Sequence, residues 1–155
     1  METRLMSVRV KSFNTNKESW LDLPATKEEI DAIDIGGGYE LTDSEYIHID
    51  LVNSIDYLNL AAKGIIELES KHSERGIDLD VLCDIRRHFK FISNESFAER
   101  VEKSVVIDIE EHREFPEIWE AEEVIEKYAE LNSLDLNIYV PFYFDEIIVL
   151  VEKWK

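Results

Sequence analysis

Cysteine, long apolar runs and positive charge are all scarce in this sequence. Cys83 is the only cysteine among 155 residues, so no intrachain disulfide can form and a reducing compartment is expected. No stretch of about 18 apolar residues occurs, so no membrane-spanning helix is expected. The residues after Met1 also lack the apolar segment of a signal peptide. These absences together predict a cytoplasmic protein.

Recognisable catalytic and metal-binding motifs are also missing. His48, His72, His88 and His112 are dispersed and match no zinc-binding pattern. The three glycines at 36–38 fit no phosphate-binding loop and are interpreted as the stop of a short helix. Carboxylates are so numerous that a potential catalytic pair carries no information. The sequence therefore predicts no enzymatic activity, no metal and no cofactor.

Acidic residues are the abundant feature. Asp and Glu number 35 against 17 Lys and Arg, which gives a net charge of −18. Since 45% of the residues are hydrophobic and 10% are aromatic, the chain has enough apolar material to fold around a core. A field of this sign attracts basic surfaces and repels nucleic acid and anionic membranes. We therefore expect no binding of the chain to nucleic acid or membranes.

The negative charge is concentrated in two segments. Residues 26–52 hold eight acidic side chains and one lysine, and residues 104–135 hold eleven acidic and two basic side chains. Solubility alone would be served by scattered charge, and clustered like charges destabilise a compact state. The clustering favours binding to a basic partner, although acidity that only keeps the protein dissolved remains the alternative.

Hydrophobic periodicity predicts an α+β fold, arranged as an elongated chain of two or three small modules. These are an N-terminal α+β module at 1–52, a helical module at 53–103 and an acidic C-terminal α+β module at 104–155. In chain order, the predicted elements are strands at 5–13 and 19–23, a short helix after a capping box at 26–29, strands at 39–42 and 46–51, helices at 55–69, 78–89 and about 94–101, a strand at 105–109, a helix from 116 to about 131, and strands at 136–140 and 147–151.

The helix predicted after Pro116 has one apolar and one acidic face. At 100° per residue, its apolar side comprises Ile118, Ala121, Val124, Ile125, Tyr128, Ala129 and Leu131. Six glutamates between Glu117 and Glu130 span about 21 Å of helix axis, or about one charge per 3.5 Å, close to the phosphate spacing along one DNA strand. Like charges four residues apart destabilise a helix, so the row is predicted to have a binding role. A solvated helix face is the alternative.

The candidate partner-binding residues are the acids of both segments, which we interpret as phosphate mimics. In the first segment they are Glu28, Glu29, Asp31, Asp34, Asp43, Glu45 and Asp50. In the second they are Asp108, Glu110, Glu111, Glu114, Glu117, Glu120, Glu122, Glu123, Glu126 and Glu130. The one basic cluster, Arg86-Arg87-His88 with Lys90, is expected to pair with acids of an adjoining module or a second subunit.

Four short motifs follow one another in residues 6–70. They are Val8-Arg-Val-Lys11, Trp20-Leu-Asp-Leu-Pro24 followed by Thr26-Lys-Glu-Glu-Ile30, Tyr39-Glu-Leu-Thr-Asp43, and Ile55-Asp-Tyr-Leu-Asn-Leu-Ala61. In their order and separation they resemble the ArdA family of antirestriction proteins. Residues 104–155 depart from the family pattern, because the Gly-containing C-terminal motifs have no clear counterpart.

The resemblance implies a DNA mimic, carried by a mobile element or phage, that acts against host defence. Members of this family occupy the DNA groove of type I restriction–modification enzymes, often as dimers, so a restriction–modification inhibitor and a homodimer are expected. The competing hypothesis is an acidic immunity or antitoxin-like protein that masks one basic partner without imitating DNA. Mimicry predicts several competing DNA-binding proteins, whereas an immunity protein would bind one partner through a compact hot spot.

Overall fold

The computed structural model describes residues 6–90, 92–109 and 121–153. In this part of the chain it shows two three-stranded antiparallel sheets and five α-helices, with a helical segment between strand-rich N- and C-terminal parts. The predicted α+β class is thereby confirmed. The chain divides into two units, residues 1–94 and 95–155, each with its own sheet. The three-module division at 1–52, 53–103 and 104–155 stays a prediction.

The first unit begins with the sheet that periodicity predicted. Strands β1 (Met6–Ser12), β2 (Glu18–Leu23) and β3 (Tyr39–Glu45) lie in the order β2-β1-β3. Alternation directs Met6 and Val8 of the central strand inward, where their side chains are almost fully buried. Helix α1 (Lys27–Asp31) starts at the predicted capping box, in which the Thr26 hydroxyl accepts from the Glu29 N–H.

Two local predictions near β3 are wrong. Helix α1 ends at Asp31 with Ala32 as its C-cap, so the glycines at 36–38 do not stop it. They belong to the turn before β3, where Gly38 has a φ of +101° and a Cβ would lie 2.9 Å from the Phe13 ring. The strand expected at 46–51 is absent from the described residues, because Tyr46 takes a left-handed φ of 65° and the chain continues in turns.

Three helices follow in the middle of the chain. They are α2 (Ile55–His72), α3 (Leu79–His88) and α4 (Asn94–Glu102), and a 3-10 turn at Ser73–Arg75 follows α2. The Ser54 hydroxyl accepts from the Tyr57 N–H, and the Asp78 carboxylate accepts from the Val81 N–H. These side chains occupy N-cap positions and satisfy otherwise unpaired donors of the first turn. No helix of the described residues is both long and apolar enough to cross a membrane.

The second unit contains α4 together with β4 (Val105–Asp108), α5 (Ala121–Asn132), β5 (Tyr139–Tyr143) and β6 (Ile147–Glu152). The sheet order is β4-β6-β5, so β6 is central and residues 148–151 are buried at successive positions on both faces. This arrangement explains the uninterrupted apolar run of the sequence.

The strand predicted at 136–140 begins three residues later and contains a proline. Pro141 lies within β5, opposite Leu150, and the residues before the strand form a 3-10 turn at Leu136–Ile138. Because β5 is an edge strand, it pairs with a neighbour on one side only, and a residue without an N–H is tolerated on the other. The proline therefore marks an edge and does not end the strand.

Cys83 is expected to be chemically inert in the folded protein. Its side chain is 3% exposed on α3, and burial, followed by the negative charges of Asp84 and Asp80, raises the pKa of its thiol. Since only the thiolate reacts, we predict that a disulfide reagent at neutral pH modifies the native protein at least about 100-fold more slowly than the urea-unfolded chain. The release of the chromogenic thiol measures both rates, and equal rates would contradict the prediction.

Candidate functional site

Helix α5 presents the predicted acidic face to solvent. Glu122, Glu123, Glu126 and Glu130 are all exposed, and we call these four residues the α5 row. On the other side of the helix, Val124 and Ile125 pack in a cluster with Ile107, Ile148 and Leu150 of the sheet. This burial fixes the rotation of the helix, so the row is directed outward by the packing of the core. Leu131, which the sequence placed on the apolar side, is 66% exposed instead.

The α5 row carries uncompensated negative charge. Its four carboxylates lie within nine residues, about 12 Å of helix axis, with an average axial separation of about 4 Å between successive charges. Within the described ranges 6–90, 92–109 and 121–153, none of the four takes part in a salt bridge. Lys127 is exposed beside the row but is the only basic side chain of the helix. The row is therefore a compact source of negative potential.

The acids of β3 lie on a mixed surface. Register places Asp43 opposite Arg9 of β1, and Glu40 opposite Lys11, on the sheet face that does not carry the buried apolar residues. Glu45 shares this face opposite Ser7. Two cationic side chains thus lie at the centre of the face. Because they are close to the acids, the negative potential at this surface is weaker than the number of acids in residues 26–52 suggests.

The neighbouring strand β2 completes this mixed surface. The Arg9 guanidinium donates a hydrogen bond to the Glu18 carboxylate with an N–O distance of 2.5 Å. Asp22 lies opposite Ser7. Trp20 lies between these two acids on the same face and is 48% exposed. Glu18, Asp22 and Glu40 were missed as candidate residues, although alternation along β2 was the signal that could have found Glu18 and Asp22.

The acids around α1 perform local structural tasks. The Glu29 carboxylate accepts hydrogen bonds from the Thr26 N–H and hydroxyl, which completes the capping box. The Asp34 carboxylate accepts from the Asn14 amide at 3.1 Å in the turn after the helix. Both side chains remain exposed, as do those of Glu28 and Asp31. Their charges remain available to a partner even though two of them already serve the fold.

The charge of Asp50 is directly compensated by a cation. Its carboxylate accepts from two nitrogens of Arg87 at 2.6 and 2.9 Å. Burial acts to raise the pKa of Asp50, but the hydrogen bond and charge of Arg87, with Lys90 and His48, outweigh it and lower the pKa below its ordinary value. The carboxylate is therefore ionised but neutralised, which makes it a poor phosphate mimic.

The basic cluster separates into a buried and an exposed part. Arg87 pairs with Asp50, an acid from the predicted N-terminal module, as its expected role requires. Arg86 is instead 2% exposed, and its guanidinium donates to the Phe89 and Ile92 carbonyls and to the Tyr57 hydroxyl. Sequence spacing placed Arg86 on the apolar face of α3 without explaining why a charge is there.

The second acidic segment does not form a single face around its sheet. Asp108 is exposed at the end of β4 opposite Ile147, whereas the preceding Ile107 lies in the cluster beneath α5. Because successive side chains of a strand point to opposite faces, Asp108 lies on the face away from α5. Five further candidates fall outside the described residues, and they are Glu110, Glu111, Glu114, Glu117 and Glu120.

The described residues contain no group of three histidine, cysteine or carboxylate side chains placed to hold a metal ion. The α5 row lacks a nucleophile, a cation or a paired base, so its arrangement suits electrostatic binding. No family model, curated protein or solved structure matches this chain.

Proposed function

We propose that this protein inhibits a DNA-binding defence enzyme, with a type I restriction–modification enzyme as the preferred target, by occupying its DNA groove. The observation that carries the proposal is the α5 row, which holds four exposed carboxylates without a salt bridge in the described residues, at an average axial spacing of about 4 Å that is close to the phosphate spacing of one DNA strand. The resemblance of residues 6–70 to the ArdA family supports the choice of target. No chemical step is required of the protein, because a competitive inhibitor needs only to bind.

The affinity of such an inhibitor for its target is expected to depend strongly on salt. A groove that binds DNA carries Lys and Arg side chains directed at phosphates, and carboxylates of similar spacing engage the same cations. The gain from each such exposed pair is small, so affinity depends on several pairs formed together. Salt screens these pairs beyond a distance of about 8–10 Å at physiological ionic strength. A mimic should therefore bind tightly at low salt and weakly at high salt.

The test is displacement of a fluorescent duplex that contains the recognition site from a purified type I restriction–modification enzyme. At about 50 mM salt the protein is expected to release the duplex completely, and at about 200 mM salt its apparent affinity should fall at least about tenfold. Expression in cells should in parallel protect incoming unmodified DNA from restriction. Absence of both displacement at low salt and protection in cells would reject the proposal.

An acidic immunity or antitoxin-like protein is the second candidate. It is favoured by the compensation of acids in the first unit, where Arg9 and Lys11 interrupt the β3 surface and Arg87 neutralises Asp50. A protein with one strong acidic surface, the α5 row, fits a single basic partner. Displacement of DNA from several unrelated DNA-binding proteins would support mimicry, whereas tight binding to one toxin without such competition would support this alternative.

A further inference from the structure

A pocket of about 240 Å³ opens beside the α5 row in the second unit. Its apolar lining comes from Ile125 of α5, Leu136 of the 3-10 turn and Leu150 of β6. Ile125 and Leu150 are nearly buried members of the core cluster, so the floor of the pocket is held by the packed interior. The floor of the pocket therefore belongs to the core, whereas its rim is formed by more exposed side chains.

Pro141 of β5 completes the apolar lining, and the remaining lining residues are aromatic and acidic. Tyr139 and Tyr143 of the edge strand β5 face Glu122 and Glu126, which are two members of the α5 row. Burial and the negative charge of Glu122 raise the pKa of the Tyr143 hydroxyl, which indicates that the carboxylate and the phenol are close in space. Aromatic faces and carboxylates both attract cations, and an apolar floor suits the methylene chain of an amphipathic side chain.

The size of the pocket restricts its occupant. Sites for drug-sized ligands and cofactors have volumes of about 300–1,000 Å³, which exceeds the volume found here. A single long side chain is of the right order. Lysine combines a four-carbon apolar stem with a compact terminal charge, so its stem can lie on Ile125 and Leu150 while its ammonium reaches the two glutamates.

We propose that this pocket receives a lysine side chain of the protein partner, with the stem on the apolar floor and the ammonium between Glu122, Glu126 and the tyrosine rings. The inference rests on the proposed function insofar as the partner is a basic protein. A lysine in this pocket would give the interface a defined contact point, which electrostatic attraction alone does not provide. Anchors that fill pockets dominate the energetics of protein interfaces.

The direct experiment uses the full chain and two blocked amino acids. Nα-acetyl-lysine methylamide carries the proposed group, and Nα-acetyl-norleucine methylamide has the same stem without the ammonium. In ¹H–¹⁵N correlation spectra, the lysine probe should shift the signals of Ile125, Tyr139 and Tyr143 with a dissociation constant of order 1–10 mM. The norleucine probe should bind at least about fivefold more weakly. Equal binding of the two probes, or no shifts at the pocket, would overturn the inference.

Matched double variants separate the pocket from the general field. Glu122→Gln with Glu126→Gln removes the two lining carboxylates, whereas Glu123→Gln with Glu130→Gln removes the same charge from the same helix outside the pocket. The first pair should weaken the lysine probe at least about fivefold and the second less than about twofold. Equal weakening by the two pairs would show that the field alone attracts the probe and would contradict the inference.

Two further comparisons are informative. The first shows whether the pocket prefers a lysine side chain or a free polyamine, and the second shows whether pocket binding and DNA mimicry fail separately. Spermidine that binds more than about tenfold tighter than the lysine probe would reassign the pocket to a free polyamine and overturn the lysine proposal. Pocket binding of the lysine probe in a protein that never displaces DNA would support the pocket while rejecting DNA mimicry. DNA displacement that persists when the probe does not bind would reject the pocket alone.

Discussion

Replacing Arg86 by methionine is expected to lower the free energy of unfolding by about 3 kcal/mol. Methionine preserves much of the length of the side chain but leaves the Phe89 and Ile92 carbonyls and the Tyr57 hydroxyl without the donors they have in the native protein. Each buried polar group that loses its partner costs about 1–3 kcal/mol. The arginine also lies 5.7 Å from the centre of the Tyr57 ring, so a cation–π contact is lost as well.

Urea denaturation followed by circular dichroism at 222 nm measures this effect, since α2 and α3 contribute much of the helical signal. Arg87→Met is the matched control, because Arg87 is the next residue of the same helix and its exposed side chain pairs only with exposed Asp50 at the surface. An exposed pair of this kind contributes less than about 1 kcal/mol. Similar losses for the two variants would show that the buried network does not stabilise the first unit.

Changing Glu122, Glu126 and Glu130 together to glutamine is expected to weaken DNA displacement at low salt by about 10-fold or more. Glutamine keeps the length and helix propensity of glutamate but removes the charge, so the fold should persist. Three exposed ion pairs of up to about 1 kcal/mol each account for a loss of this order. Removing like charges four residues apart should at the same time raise the stability of α5 slightly.

The control for charge alone is Glu67→Gln, Glu74→Gln and Glu99→Gln, which removes three exposed carboxylates from the helical middle of the chain. Competition assays with the restriction enzyme at low and raised salt compare the two triple variants. If both lose affinity equally, net charge governs binding and the α5 row has no special part in it. Near-complete loss from Glu130→Gln alone, which lies outside the pocket, would favour the compact hot spot of an immunity protein.

The two acidic segments that look alike along the sequence differ in three dimensions. The eleven acids of 104–135 include the α5 row, whose four described members have no cationic partner in the regions that the structure describes. The eight acids of 26–52 are distributed over α1, β3 and two turns, where Asn14, Arg87 and the Arg9–Lys11 line engage or neighbour several of them. The proposed binding surface therefore lies mainly in the second unit, on the α5 row.

Local sequence patterns predicted the structure correctly where residues close in sequence determine it. The capping box at Thr26, the alternation of β1 and the two faces of α5 each depend on residues within one or two turns or strand positions. Hydrogen-bond caps and hydrophobic periodicity are local properties, so these predictions succeeded. The error near Gly36 arose because α1 ends at Asp31, before the glycines are reached, and the error at Tyr46 arose where a left-handed backbone angle interrupts the expected strand.

The sequence by itself determined that this is an acidic α+β protein with an apolar strand near residues 147–151 and a row of glutamates on one face of α5. Only the tertiary structure decided which acids are compensated, because Arg9, Lys11 and Arg87 reach them through strand register and packing across many residues. It also decided that Asp108 and α5 lie on opposite faces of one sheet, and that Tyr143 and Glu122 share a pocket. Charge is a property of composition, but the potential at a surface depends on distances that only the folded chain sets.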